Sequence, residues 1–430
     1  MTEPGIKTIG GKSRRLAKDP KDPKAPDVTD KSADNGVSDR QLDEFRKSEY
    51  NKHNSEGKVI CGYCGFTGDH LEEHLEEAHD SSIAEYMADF PDRPIESTGT
   101  GLAKKLSYKK RASKEFSVKD LFGFFWNDKK KKDRFVSGFA EPGPLTPAID
   151  TDFVFDPEAT TVALLSLHLG NKLLVYGPTG SGKTALITQI AARLNYNLMR
   201  VNLDDDIERT DLIGRFIITP DKAMEFLYGI LPRAMVLPGT ILLLDEWDSI
   251  SAETSFVLQR VLEENSQLLI LEKGEEIINL HPSNMICATA NTVGQGDDSG
   301  LYQGTKMQNY AQINRFQLTI ELDYLPPDKE IQILLNRFGP DSDLIKDTGL
   351  EPLEHFECEA MVQVVNAVRQ AFEQGTVGAP LSTRDLCNWG EKFVIWGSAN
   401  KSAKYCFCNR MPKEDRAVVE EILQRAFGSA

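Results

Sequence analysis

The chain has 430 residues, 40% of them hydrophobic and 27% charged, which is enough apolar material for one large core and one or two smaller folded units. Its formal net charge of -16 at pH 7 repels polyanions and argues against nucleic acid or anionic lipid as a general partner. No run approaches the roughly 18 consecutive apolar residues of a membrane span, and the Met1-Thr2-Glu3-Pro4-Gly5 start lacks the apolar stretch of a secretory signal, so a cytoplasmic location and no membrane contact are expected.

Residues 1–57 are rich in Lys, Asp, Pro, Ser and Gly and show no apolar periodicity, so they cannot offset their ordering entropy and are expected to form a disordered tail. Residues 58–82 carry Cys61-x2-Cys64-x9-His74-x4-His79. Seven cysteines in a chain of this size do not suggest a disulfide framework, and in a reducing compartment a Cys-x-x-Cys pair points to metal. Two thiolates from a knuckle and two imidazoles from one helix face supply the tetrahedral set that Zn²⁺ prefers, with Phe66 and Leu71 as a minimal core and His70 as a spare ligand. The pattern resembles a shortened C2H2 zinc finger. Its helix, however, presents Asp69, Glu72, Glu73, Glu76 and Glu77 where groove contact needs Arg, Lys or Asn, so the expected role is protein docking or structure rather than DNA reading.

Residues 83–115 read as a basic, solvated linker, and Phe116 opens a structured segment to 150 that is interrupted by a surface run from Lys129 to Lys132. Between 151 and 325, the apolar runs Lys172 to Tyr176, Leu198 to Asn202, Thr240 to Leu244, Met285 to Ala290 and Gln317 to Leu322 alternate with helical patterns. That alternation predicts an α/β fold, a parallel sheet with helices on both faces. From 326 to 430 only helical spacing remains, in Lys329 to Phe338, Glu359 to Phe372, Thr383 to Trp396 and Glu414 to Phe427, as in a helical lid.

The chemistry concentrates in Gly177-Pro178-Thr179-Gly180-Ser181-Gly182-Lys183-Thr184, which follows the strand Leu173-Leu174-Val175-Tyr176 and opens a helix. Glycines at this spacing let backbone N–H groups face phosphates, the helix adds its positive N-terminus, Lys183 neutralises the β- and γ-phosphates, and the Thr184 hydroxyl is placed to hold Mg²⁺. Asp245 and Glu246 end another apolar strand at the carboxyl edge of the sheet, where open α/β folds bind ligands. Asp245 is expected to orient the Mg²⁺ shell and Glu246 to polarise the attacking water. Asp248 reads as a surface carboxylate. Asn291, ending its strand, has an amide able to align that water, while Arg315 and Arg384 are candidate cations for a neighbouring nucleotide and for a lid contact. His168, His281 and His355 read as core or surface residues, and Cys406 and Cys408 as packing.

In this order, the phosphate loop, Asp-Glu pair, terminal Asn, Asn314-Arg315-Phe316 and Ser382-Thr383-Arg384 resemble the AAA+ ATPases of the MoxR and chelatase branch. Phe116 to Gly123, Val201 to Asp204, Arg209 to Gly214, Gly229 to Pro232, Leu258 to Glu263, Ala288 to Gly294, Gly300 to Thr305 and Asp323 to Pro326 further resemble the CobS-type ATPase subunits of aerobic cobaltochelatase, from Phe116 to the C-terminus. The resemblance implies an ATP- and Mg²⁺-dependent ATPase in which Asp245 and Glu246 are the Walker B pair, Asn291 is sensor 1, Arg315 the arginine finger and Arg384 sensor 2. It also implies hairpins at Asp211 to Leu231 and Leu268 to Leu280, with Trp247 replacing the family's Tyr. A head-to-tail homo-oligomer, a hexameric ring, and a CobT-like partner with a von Willebrand type A domain follow from the same resemblance; lacking a D-x-S-x-S run itself, the chain must find that domain in another polypeptide. The competing reading is a remodelling or binding module that the finger directs to a different protein or nucleoprotein client, a viral assembly included.

Overall fold

Alternation along one strand decides the centre of the molecule. In the computed structural model, Ile241 and Leu243 point into one apolar cluster and Leu242 and Leu244 into another, so the same strand supplies both faces of a sheet. The structure describes residues 59–61, 67–68, 71–79, 82, 86, 111–126, 132–294 apart from 205, 219, 221 and 223, then 305–306, 308 and 310–428. The expected tail at 1–57, together with Cys64, Phe66, Asp69 and His70 and most of the linker, lies outside them.

Five parallel strands form the sheet: β1 (Leu173–Tyr176), β2 (Asn197–Asn202), β3 (Thr240–Asp245), β4 (Met285–Ala290) and β5 (Leu318–Glu321), in spatial order β5-β1-β4-β3-β2. Every residue of β3 and β4 is buried, as expected of central strands covered on both sides. Helices α1 (Pro157–Leu169) and α2 (Lys183–Arg193) pack Ala163, Leu164, Ile187 and Ile190 against Leu173 and Leu243, while α3 (Ala252–Leu262) packs Leu258 and Val261 on the opposite face. Truncating a fully buried residue such as Leu243 to Ala would cost about 2–5 kcal/mol.

Capping fixes where these helices begin and end. Asp156 accepts from the Ala159 amide at 2.7 Å at the start of α1, Pro157 follows at a position whose N–H is dispensable, and Gly170 closes the helix in the left-handed region. The segment before the sheet starts earlier than the sequence predicts. Ser113–Ser117 pairs antiparallel with Phe135–Phe139, and the Arg111 guanidinium donates to the carbonyls of Asn195 at 2.5 Å and Pro238 at 3.1 Å while lying over Phe139. A basic residue reads as solvated in sequence but here satisfies carbonyls of two loops, so 111–115 are part of the folded unit.

The two expected hairpins are Gly214–Ile218 with Met224–Tyr228 and Gln267–Ile270 with Glu276–Asn279. After β5 the described chain is helical, including α4 (Pro327–Phe338), α5 (His355–Glu373) and α6 (Thr383–Trp396). These helices have their own core around Trp389, whose ring meets Phe407 and Phe427 edge-on and whose N–H donates to Ala399 O and Ser402 Oγ, both at 3.0 Å.

Candidate active site

β1 ends at Tyr176 and the chain turns through Gly177 (φ 148°), Gly180 (φ 76°) and Gly182 (φ 96°) into α2. Two of these glycines are required by contact as well as by φ. A Cβ on Gly177 would lie 2.0 Å from the Leu322 carbonyl oxygen, and one on Gly180 would lie 2.4 Å from the Cβ of Ser382 at the start of α6. At its own start α2 has Gly182 as its cap, no side-chain hydrogen bond and no acidic residue in its first turn. Its leading amides and positive dipole end are therefore available to an anion.

Lys183 is buried in the mouth of this loop and donates to Gly177 O at 2.8 Å, Pro178 O at 3.0 Å and Asn291 Oδ1 at 3.1 Å. Burial pushes its ammonium down to about 8, against the pull of Asp248 and Asp245, and Arg384 pushes it down further. The Thr184 hydroxyl lies 3.2 and 3.3 Å from the two Asp245 carboxylate oxygens. Asp245 is buried and also accepts from the Thr289 hydroxyl and from Arg200 Nη2 at 2.5 Å. A hydroxyl and a carboxylate facing each other beside the leading amides of α2 are a set that suits Mg²⁺ carried in on phosphate.

Glu246, the next residue, is exposed and turns into the pocket with φ 58° and ψ 43°. A non-glycine residue held in the left-handed region is a strained conformation of the kind that gathers at functional sites. Asp248 corrects the sequence reading. It is fully buried, and its Oδ2 accepts from the backbone N–H of Asn291 and of Thr292, both at 2.9 Å. A short helical turn at Trp247–Ser249 folds the carboxylate inward beneath the end of β4, which sequence spacing alone does not indicate.

The cavity at this edge of the sheet has a volume of about 430 Å³ and brings together Lys183, Thr184, Asp245, Glu246, Asn291 and Arg384. The phosphate-loop residues Thr179 to Gly182 line it as well, with Gly177 and Pro178 lying behind them. Arg315 is not among its lining residues. It lies just after the short helix Tyr310–Ile313, 3.6 Å from Glu263, and donates to Ala311 O. Two cations in the cavity were not anticipated. Arg200 arrives from β2 at a position whose pleat faces Asp245, and Arg337 arrives from α4, paired with Asp150 at 2.5 Å. Thr289 carried a readable signal, a single hydroxyl in an otherwise apolar buried strand, whereas Arg337 carried none because its partner is 187 residues away.

Towards the N-terminus, Cys61, His74 and His79 offer ligand atoms within 4.8 Å of one another, with Cys61 Sγ 3.6 Å from His79 Nε2. Leu71, Leu75, Val59 and Tyr86 are buried around them. The fourth expected ligand, Cys64, lies outside the described residues. Cys408 is buried as expected, Cys406 points its thiol at Asn388 O, His355 is exposed, and His168 and His281 are half-buried.

A phosphate loop, an acidic strand end and a terminal amide on a five-stranded parallel sheet define a P-loop ATPase of the AAA class. The AAA domain of the dynein-related subfamily matches residues 172–307. The aerobic cobaltochelatase subunit CobS of Sinorhizobium sp. is 36% identical over 315 residues, covering 73% of this chain and 90% of that protein. NorQ of Paracoccus denitrificans is 32% identical over 46% of this chain and 69% of its own length, and midasin of Dictyostelium discoideum is 28% identical over 66% of this chain but only 5% of its own length. The chain belongs to the CobS and MoxR-like family of AAA+ ATPases.

Proposed function

We propose that this chain hydrolyses ATP in a head-to-tail ring, six copies in number, and that the cycle drives a chelatase-type complex. The carrying observation is the convergence of Lys183, Thr184, Asp245, Glu246 and Asn291 on one cavity while Arg315 stays outside it. In this reading the loop amides and Lys183 bind the triphosphate, Asn291 and Glu246 hold the attacking water, and Glu246 accepts its proton. Thr184 and Asp245 hold Mg²⁺, which when bound offsets phosphate charge. Arg384 closes the same cavity from α6, as a lid residue. Arg315 acts in the neighbouring copy's cavity, so hydrolysis requires assembly.

The likeness to a cobaltochelatase subunit supports a separate partner carrying a von Willebrand type A domain and a chelating subunit as the client. Residues 58–82 support an added function, since three of the four proposed Zn²⁺ ligands lie together. On the second reading, that finger directs the ring to a different protein or nucleoprotein.

The test is phosphate release by the assembled protein with Mg²⁺. Release abolished by Lys183→Ala through lost binding, and by Glu246→Gln with binding retained, supports the ATPase assignment; release insensitive to both refutes it. Pull-down with Cys61→Ser separates the two clients, because a chelatase role does not require the finger.

A further inference from the structure

Glu330 of α4 is fully buried, and Arg369 of α5 holds both of its carboxylate oxygens, Nη1 to Oε2 at 2.9 Å and Nη2 to Oε1 at 2.8 Å. Removing two charges from water is expensive, and an apolar pair of similar volume would join these helices at least as well. What an apolar pair would not supply is the set of directional contacts that radiate from this guanidinium. Its Nε donates to Leu381 O at 2.9 Å, directly before Ser382, the cap of α6. Glu330 Oε1 also accepts from Thr383 Oγ1 at 2.6 Å, so the carboxylate ties down the residue preceding Arg384.

On its other side the guanidinium lies on the face of Tyr324, 4.0 Å from the ring centroid. The Tyr324 hydroxyl in turn donates to the carbonyl of Thr179 in the phosphate loop at 3.3 Å. The loop and α6 meet directly as well, where Gly180 leaves no room for a Cβ against Ser382. One side chain therefore reaches two walls of the nucleotide cavity, and Lys at 369 would keep the charge but lose both the fork and the stacking plane.

We infer that Arg369 is a positioning residue for the ATPase reaction, holding the phosphate loop through Tyr324 and Arg384 through Glu330, Leu381 and Thr383, so that both walls answer to one buried ion pair. The inference rests on the reading of Arg384 as a nucleotide contact. It places a determinant of nucleotide affinity in the C-terminal helices, away from any phosphate.

The experiment uses the full-length protein with Tyr324→Phe, Thr383→Val and the double variant, each of which removes a single hydroxyl and keeps its bulk. ADP affinity, KM for ATP and kcat are measured beside the thermal midpoint. Each single variant is expected to weaken ADP binding and raise KM about threefold or more with a smaller change in kcat. The double variant should fall short of the product of the two by a similar factor, because the effects pass through one pair. Effects that multiply independently, or a lowered midpoint with unchanged nucleotide constants, overturn the inference and leave Arg369 as a helix clamp. Arg384→Ala serves as the check beneath it. If that change leaves ADP affinity intact, the reading of Arg384 fails and takes the inference with it; if affinity drops while the hydroxyl variants have no effect, the inference alone fails.

Discussion

The ring of Trp247 meets that of Phe316 edge to face, with centroids 5.3 Å apart and both side chains buried. Trp247 follows Glu246 directly and Phe316 follows Arg315, so the residue proposed to act on the chain's own nucleotide and the one proposed to act on its neighbour's share a packing contact. Sequence comparison marks Trp247 only as one aromatic in place of another.

Trp247→Ala is expected to cost about 3–5 kcal/mol of stability through the cavity it leaves. Trp247→Phe should cost far less, because the buried indole N–H has no hydrogen-bond partner among the described residues and its removal relieves that penalty. Denaturant unfolding midpoints of the two variants check the difference, and Phe behaving like Ala would contradict it.

Lys183 gives the nucleotide site a pH limit. Its folded value near 8 lies below the ordinary 10.5, so between these values the folded chain holds fewer protons there than the unfolded chain, and stability rises with pH across that window. Nucleotide affinity should move the opposite way, falling above pH about 8 as the free ammonium loses its proton. Calorimetric titration of ADP from neutral pH to about 9.5 tests this, and Lys183→Arg should flatten the profile because a guanidinium keeps its charge there.

Asp248 holds the peptide that carries Asn291. Asp248→Ala removes the acceptor of the half-buried amides of Asn291 and Thr292, at about 1 kcal/mol or less for each because water reaches them in part. The variant should lose kcat and some ADP affinity together, since the displaced Asn291 no longer accepts from Lys183 and the Lys183 ammonium loses the charge of Asp248. Asp248→Asn, which keeps an acceptor, should lie between it and the unmodified chain, and steady-state kinetics beside ADP titration would reveal an inverted order.

The Arg315 proposal leads to a complementation experiment. Arg315→Ala should bind ADP normally and lose about a thousandfold in hydrolysis, and Glu246→Gln should be inactive as well. Mixed in one assembly, the two chains should regain activity, because a Glu246→Gln copy lends its intact Arg315 to the complete acidic pair of its neighbour. No recovery on mixing under conditions of verified co-assembly would place Arg315 outside catalysis.

For the finger, metal analysis should find one Zn²⁺ per chain, lost with Cys61→Ser or His79→Ala, and Co²⁺ substitution should give the absorption of a tetrahedral thiolate site. Chelation should leave basal ATPase activity intact provided Mg²⁺ is restored. Absence of bound zinc after purification without chelators would remove the finger from the account.

Much of the sheet was legible because a buried parallel strand must be apolar on both faces: the runs at 240–244 and 285–290 are so uniformly hydrophobic that their boundaries fall within a residue of β3 and β4. The phosphate loop was legible for a related reason, since its glycines answer to local φ and to backbone approach. Asp248 was misread because its burial depends on a turn that no periodicity describes. Arg111 was misread because its carbonyl partners come from loops far along the chain.

By itself, the sequence determined which strands could be central, which stretches are helical though not where α4 and α5 begin, and that a phosphate-binding loop stands opposite an acidic pair, all of which follow from patterns a few residues long. Only the tertiary structure decided which cations enter the cavity, that Asp248 braces Asn291, and that Glu330 and Arg369 join two of its walls. Those relationships depend on long-range closure and on which buried polar group finds which partner, and neither leaves a mark at short range in the chain.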